Sequence, residues 1–328
     1  MRANGIKRFS HAAGALLCLL AAGRAEPFYL PNEHPVTRLF GIPPAESGFI
    51  PEGWHARASF NWASISDDDM ARGSSLMLDG ETYVARLALR RGFADGWEIG
   101  LDLPYVRHAG GILDDFIESY HDTFGFAQGN RKTIPSDRLL YALIRNGETL
   151  FYLADPVDGP GDVSVSLGRQ LYRRPDGTRA VAARAAVEGP TGDRDNLLGS
   201  GSTDIALSLT GTDTVLLQPL RLDAVLGVLF MAGGGLLEDW REPAAGFGSA
   251  ALEWPATEKL SLKVQADAHS PLFDDLCIGR LDHWGCQVSM GGTLRLPRAA
   301  ALDIAVTEDV AVATAPDVVF HFALSKSW

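Results

Sequence analysis

The sequence predicts an all-β fold, a transmembrane antiparallel up-and-down β-barrel of about twelve strands. Three observations predict it. Segments long enough to cross a bilayer, with a two-residue hydrophobic period, recur from Trp54 to the end. The links between them alternate short and long. The chain closes on an aromatic residue, Trp328, at the end of such a segment.

The first element is not part of the barrel. Arg2, Lys7 and Arg8 precede an apolar run from Ala12 to Gly23, and Gly23-Arg24-Ala25 forms a small-x-small site. This is the build of a secretory signal, with cleavage expected after Ala25. The run is too short for a spanning helix, which takes about 20 residues. Cys18 follows Leu17 rather than a small residue, which argues against a lipid anchor. Residues 26–52 are irregular and Pro-rich, and are expected to lie in the periplasm or the lumen. The barrel is expected over residues 53–328.

Strands are expected at 54–65, 82–93, 97–105, 162–172, 179–189, 203–211, 219–231, 245–254, 259–269, 286–296, 301–309 and 316–328. In the third, Trp97, Ile99, Leu101, Leu103 and Tyr105 alternate with Glu98, Gly100, Asp102 and Pro104. Each strand is near the roughly 9–11 residues that span a bilayer at a tilt. A soluble sandwich has strands nearer 5–6 residues and a polar outer face, which these leucine-rich faces are not. Trp54 to Trp62 and Trp97 to Tyr105 are equal steps along outward faces. Each climbs about 20 Å at a tilt of about 40°, close to the apolar band between aromatic girdles. Short links such as 92–96, 175–177, 255–258 and 297–298 fall at the end holding both termini, and longer ones such as 66–80, 190–202, 232–244 and 270–285 at the other. The last strand carries Val318, Phe320, Phe322, Leu324 and Trp328 on one face, and is expected to pair with 54–65 and so remove both free edges. Its partners are then outer-membrane lipid and, through this C-terminal signal, the barrel-assembly machinery.

Residues 109–160 break the rhythm. Leu113, Phe116, Ile117, Tyr120 and Phe124 stand at helical spacing, and Gly125 then stops the pattern. A hairpin is expected downstream, turning at Asn146-Gly147. So long an insertion either caps the outer mouth or dips into the lumen as a constriction.

The run LDDFIESYHDTFGFAQGNRKTIPSDRLLY and the closing TEDVAVATAPDVVFHFAL resemble the proteobacterial outer-membrane proteins of domain-of-unknown-function family 3187. That resemblance implies an outer-membrane barrel over most of the mature chain and no assigned activity. Pro190–Asp204 is also similar to a loop and strand start in outer-membrane channels associated with aromatic-compound breakdown.

Charge narrows the function classes. Removing the signal takes four basic residues and no acid from a chain with 29 Lys and Arg against 41 Asp and Glu. Such an acidic protein is a poor partner for nucleic acid. The inward faces carry Arg86, Arg90, Glu98, Asp102, Arg184, Glu188, Lys263 and Asp267. If strands two and three turn about Ala94, Arg90 faces Glu98 and Arg86 faces Asp102 across the ladder. The charges either fill the lumen with salt bridges or form a selectivity filter. Cys277 and Cys286 remain in an exported chain and are expected to pair, the alternative being two buried thiols. His269-Ser270 is a poor hydrolase dyad, because adjacent strand residues point to opposite faces. Acidic clusters at Asp67–Asp69, Asp193/Asp195 and Asp274-Asp275 match no calcium-loop spacing, and the histidines are scattered, so neither metal nor cofactor is expected. The reading is a non-enzymatic channel or uptake porin for a small solute. Its alternative is a closed structural barrel presenting loops to a partner.

Overall fold

Strands that alternate apolar and polar side chains satisfy both faces at once when the sheet closes on itself in lipid. The computed structural model describes residues 26–71, 73–113, 137–276, 278–310 and 314–328. In it β1 (Gly53–Ala71), β2 (Ser74–Gly92) and β3 (Trp97–Ala109) are followed by three short strands, β4 (Leu140–Arg145), β5 (Glu148–Leu153) and β6 (Val157–Pro160). The chain continues as β7 (Val163–Arg173), β8 (Arg179–Gly189), β9 (Asp204–Leu217), β10 (Leu220–Met231) and β11 (Ala244–Pro255). It ends with β12 (Leu260–His269), β13 (Gly285–Leu296), β14 (Ala300–Asp309) and β15 (Val318–Ser327). Setting β4, β5 and β6 aside, twelve antiparallel strands pair in sequence order, β3 meets β7 across the insertion, and β15 returns to β1.

The closing seam aligns aromatics. Phe60 pairs with Phe322 and Trp62 with Phe320. Trp54 and Trp328 exchange backbone hydrogen bonds of 2.9 and 3.0 Å, which puts the two indoles at one level. Burial tells the faces apart. Phe322, Leu324 and Trp328 are 42%, 51% and 61% exposed, whereas His321 and Ala323 between them are 0% and 1%. Elsewhere Leu260, Leu262 and Val264 lie outward while Ser261, Lys263 and Gln265 are buried inside.

The outer end differs from the sequence reading. Residues 66–80, expected as a loop, continue β1 and β2 as a paired hairpin, with Ser66 opposite Asp79. At 19 residues each, these strands overrun the roughly 9–11 needed to cross. The extension leaves lipid, so the acidic run Asp67–Asp69 no longer alternates with apolar residues. Its stability comes from a second layer. Leu76 and Leu78 are buried with Tyr141, Leu143, Phe151 and Leu153 of the β4–β5 hairpin, and β4 pairs with β2. That hairpin turns at Asn146-Gly147, both at positive φ (50° and 84°), the conformation a two-residue type I′ turn demands.

Phe116, Ile117, Tyr120 and Phe124 of the expected amphipathic stretch lie outside the described residues, as does Cys277 of the expected disulfide. Leu113 is described, and it packs on Val318, with Trp62, Val306 and Phe320 alongside. The insertion therefore starts on the outward flank of the closing seam. Glu81 fastens it there, accepting from the amides of Ile112 and Leu113 at 2.9 and 2.6 Å and from Trp62 Nε1 at 2.6 Å.

A charge on the lipid face should destabilise the barrel. Phe322→Arg is expected to cost about 2–4 kcal/mol if its position is near the bilayer midplane. Urea titration of the folded form in liposomes, read by the heat-modifiable gel shift, measures this.

Candidate lumenal site

Twelve strands about 4.8 Å apart, tilted by about 40°, enclose a backbone radius of about 12 Å. Once inward side chains are counted, that leaves room for little more than an extended chain or two. Residues 26–52 take this space. Glu26 starts beside the terminal end, paired with Arg57, and its carbonyl accepts from Lys263 Nζ at 2.6 Å. Gln265 brackets Phe28, accepting from its amide at 2.8 Å and donating to its carbonyl at 3.2 Å. At the outer end Asn32 and Thr37 donate to the Thr314 carbonyl, Arg38 donates to the Leu197 carbonyl, and Phe40 sets its ring edge-on to Phe273.

His34 makes this bend. Its Nδ1 accepts from the amides of Val36 and Thr37 at 3.2 and 3.3 Å, which requires an unprotonated Nδ1. Burial, reinforced by the neighbouring His269 and Arg280, pushes its pKa down to about 3. The chain then descends. The amides of Gly41, Gly48 and Ile50 donate to side chains of Asp204, Thr212 and Gln170, and Gly53 opens β1.

The barrel charges meet the segment at its middle. Arg90 contacts Asp102 at 2.8 Å and Glu46 at 3.0 Å, and donates to the Tyr29 hydroxyl at 2.6 Å. Tyr29 in turn donates to Asp102. Arg184 lies 3.0 Å from Glu98 and 3.5 Å from Glu46, and donates to the Ser47 carbonyl and Thr210. Tyr29, Arg90, Glu46 and Arg184 thus form a waist across the lumen, half from the wall and half from the segment. Of the remaining sequence-predicted charges, Arg86 stands 4.0 Å from Glu33, and Glu188 lines a cavity above the waist. Lys263 and Asp267 lie on β12. Lys263 pairs with Asp303 at 3.0 Å and Asp267 accepts from Gln265.

The expected cross-strand ladder is corrected. Arg90 faces Gly100 and Arg86 faces Pro104, two positions beyond the acids assigned to them. The turn centres on Asp95 rather than Ala94, because Gly96 takes φ +82° as the left-handed last residue of a three-residue loop. An even shift keeps every side chain on its face. Arg90 therefore still points inward, and it lies across Gly100, where an added Cβ would fall 2.7 Å from Arg90 Cδ. It reaches Asp102 diagonally.

Sequence reasoning missed the segment's contribution, Tyr29, Glu33 and Glu46. The available signal was the presence of four acids, at 26, 33, 46 and 52, in a Pro-rich stretch with Arg38 as its one arginine or lysine. His269 and Ser270 do not face one another. The imidazole Nε2 contacts Thr314 Oγ1 at 3.2 Å, while Ser270 Oγ accepts from the Gly246 amide at 2.9 Å.

A family model described as a protein of unknown function, DUF3187, matches residues 19–328. The chain belongs to the DUF3187 family. No curated protein matches it. Among solved structures, this DUF3187 protein is similar to the COG4313 outer membrane channel from Pseudomonas putida F1. Identity is 12%, 85% of this chain and 97% of that one are covered, and the TM-score is 0.56. It is also similar to the NanC porin, at 8% identity over 84% of this chain and 100% of that one, TM-score 0.47. A Pseudomonas aeruginosa FadL homologue follows, at 10% identity over 94% and 96%, TM-score 0.43. The first of these likenesses supports the antiparallel β-barrel fold of this DUF3187 protein.

The waist is coupled, and its removal should show that. Arg184→Met leaves Glu98 buried without its partner and is expected to cost about 3–5 kcal/mol. Adding Glu98→Gln should recover a large part of the loss. The urea midpoints of the two variants test the coupling.

Proposed function

We propose that this protein is a narrow, selective outer-membrane channel for a small polar solute, constricted by its own N-terminal segment. One observation carries the reading. A cavity of about 70 Å³ above the waist and one of about 20 Å³ below it share Tyr29, Glu46, Arg90 and Arg184 as lining. The lower cavity continues to Phe49, Pro51 and His55 near the terminal end. A file of polar space thus approaches both sides of the lumen and is interrupted by four side chains. A solute that passes must exchange its hydration for these charges, the principle by which charged constrictions select. The likeness to a solved outer-membrane channel is consistent with this reading. The expected signal peptide, the Cys277–Cys286 disulfide, recognition of β15 by the assembly machinery and the absence of enzymatic activity belong to the same proposal.

A second reading has its own support. Each waist charge has a partner, and a lumen so thoroughly paired suits a closed barrel that serves envelope integrity. Planar-bilayer recording separates the two. The channel reading expects small resolved steps from the wild type and severalfold larger steps from Tyr29→Ala, which removes the waist's one aromatic ring and no charge. Silence from both proteins, with the gel shift confirming folding, would favour the closed barrel.

A further inference from the structure

The lipid face of the barrel carries charge at the end that holds both termini, and only along part of the rim. β15, β1, β2, β3 and β7 lie side by side there, and four gaps of about 4.8 Å make an arc of about 19 Å. Each basic side chain on the outward face of this arc rests on an aromatic ring. Arg91, opposite Trp54 in the ladder, sets its guanidinium 5.5 Å from the Trp54 ring and 5.9 Å from that of Phe93. Arg169, opposite Trp97, lies 5.0 Å from that ring, and Lys326 Nζ lies 6.0 Å from Trp328. All four rings are exposed. The rings hold the cations without neutralising them. None of the three cations is in an ion pair among the described residues, and Arg169 donates to the carbonyl of Asp95 rather than to a carboxylate. Glu52 and Asp95 lie beyond the strand ends, in the links.

The rest of the rim is built differently. Its outward positions are Leu216, Trp254, Leu260 and Leu294, exposed and uncharged. Arg174 and Arg179 pair with Asp176 and Asp213 at 3.0 and 2.7 Å, while Lys259 and Arg298 sit in the turns. Snorkelling alone would not confine unpaired cations to five neighbouring strands.

We infer that this arc binds an anionic phospholipid, with Arg91, Arg169 and Lys326 taking the headgroup phosphate and the exposed rings flanking it. A guanidinium laid over an indole keeps its N–H edge open, and a phosphate accepts from that edge in a bidentate pair. Aromatic rings by themselves would equally welcome a choline or ammonium headgroup. Three unneutralised cations beside them repel such a group, so a lipid of net negative charge is favoured over a zwitterionic one.

The site needs only the folded barrel, whether or not the lumen conducts. Native mass spectrometry of the folded full-length protein in detergent would compare phosphatidylglycerol with phosphatidylcholine of identical acyl chains. Phosphatidylglycerol is expected to bind at least about tenfold more tightly. Combining Arg91→Gln, Arg169→Gln and Lys326→Gln should remove that preference with the heat-modifiable shift retained. Arg107→Gln changes an outward arginine near the opposite end of β3 and should leave the preference intact. Equal binding of the two lipids, a preference that survives in the folded triple variant, or an equal loss in Arg107→Gln would each overturn the proposal. If the triple variant does not fold, Arg169→Gln alone decides the point: a severalfold loss of preference is expected, and no change would refute the site.

Discussion

A barrel that presents its apolar face to lipid turns its polar face inward, and here the N-terminal segment covers that face. Inward groups cut off from bulk water need partners, because an unsatisfied buried polar atom costs free energy. Side chains from facing walls do not supply them all across a lumen of this width. Residues 26–52 do, through Gln265 on Phe28, Thr212 on Gly48 and Gln170 on Ile50. The wall's polar residues read as hydrogen-bonding partners for a strap of backbone. They are not a hydrophilic lining left over from the strand pattern.

The charges follow from the same arrangement. Arg86, Arg90 and Arg184 come from the wall, and Glu33, Glu46 and Tyr29 from the segment, so the segment adds partners to arginines of which two also pair with wall acids. Covalent continuity keeps the halves together, since the segment leads directly into β1. At the junction it packs tightly, and a Cβ added at Gly92 would collide with the Pro51 carbonyl oxygen at 1.9 Å. The tyrosine and the acid that complete the waist, Tyr29 and Glu46, lie between the expected signal cleavage and β1.

Much of the barrel was legible because lipid imposes a strict rule on outward residues. Trp97 through Tyr105, or Leu260 through Val264, could be read directly from their alternation. The rule lapses once a strand leaves the bilayer, and there the reading failed: β1 and β2 run on through Ser66–Asp79 with a polar sequence that looked like loop. Register failed for a different reason. Faces repeat every two residues, so hydrophobic pattern cannot tell a ladder centred on Ala94 from one centred on Asp95. Only the left-handed Gly96 distinguishes them. The candidate charges were visible as inward residues, yet their partners were not. Glu33 and Glu46 sit in an irregular stretch whose conformation comes entirely from tertiary contacts, as His34 and its capped amides show. Periodicity has nothing to report about such a segment.

The account stands on residues 26–52 occupying the lumen, and a cross-link tests that most directly. Ser47 Oγ and Thr212 Oγ1 lie 3.1 Å apart, close enough for a disulfide to join cysteines at the two positions with little movement. In a background of Cys277→Ser and Cys286→Ser, the pair Ser47→Cys and Thr212→Cys is predicted to oxidise in the folded protein. The product would be a reducible species of altered mobility after unfolding. Free thiols at both positions, with the cysteine at 47 open to a bulky maleimide in the folded barrel, would contradict it.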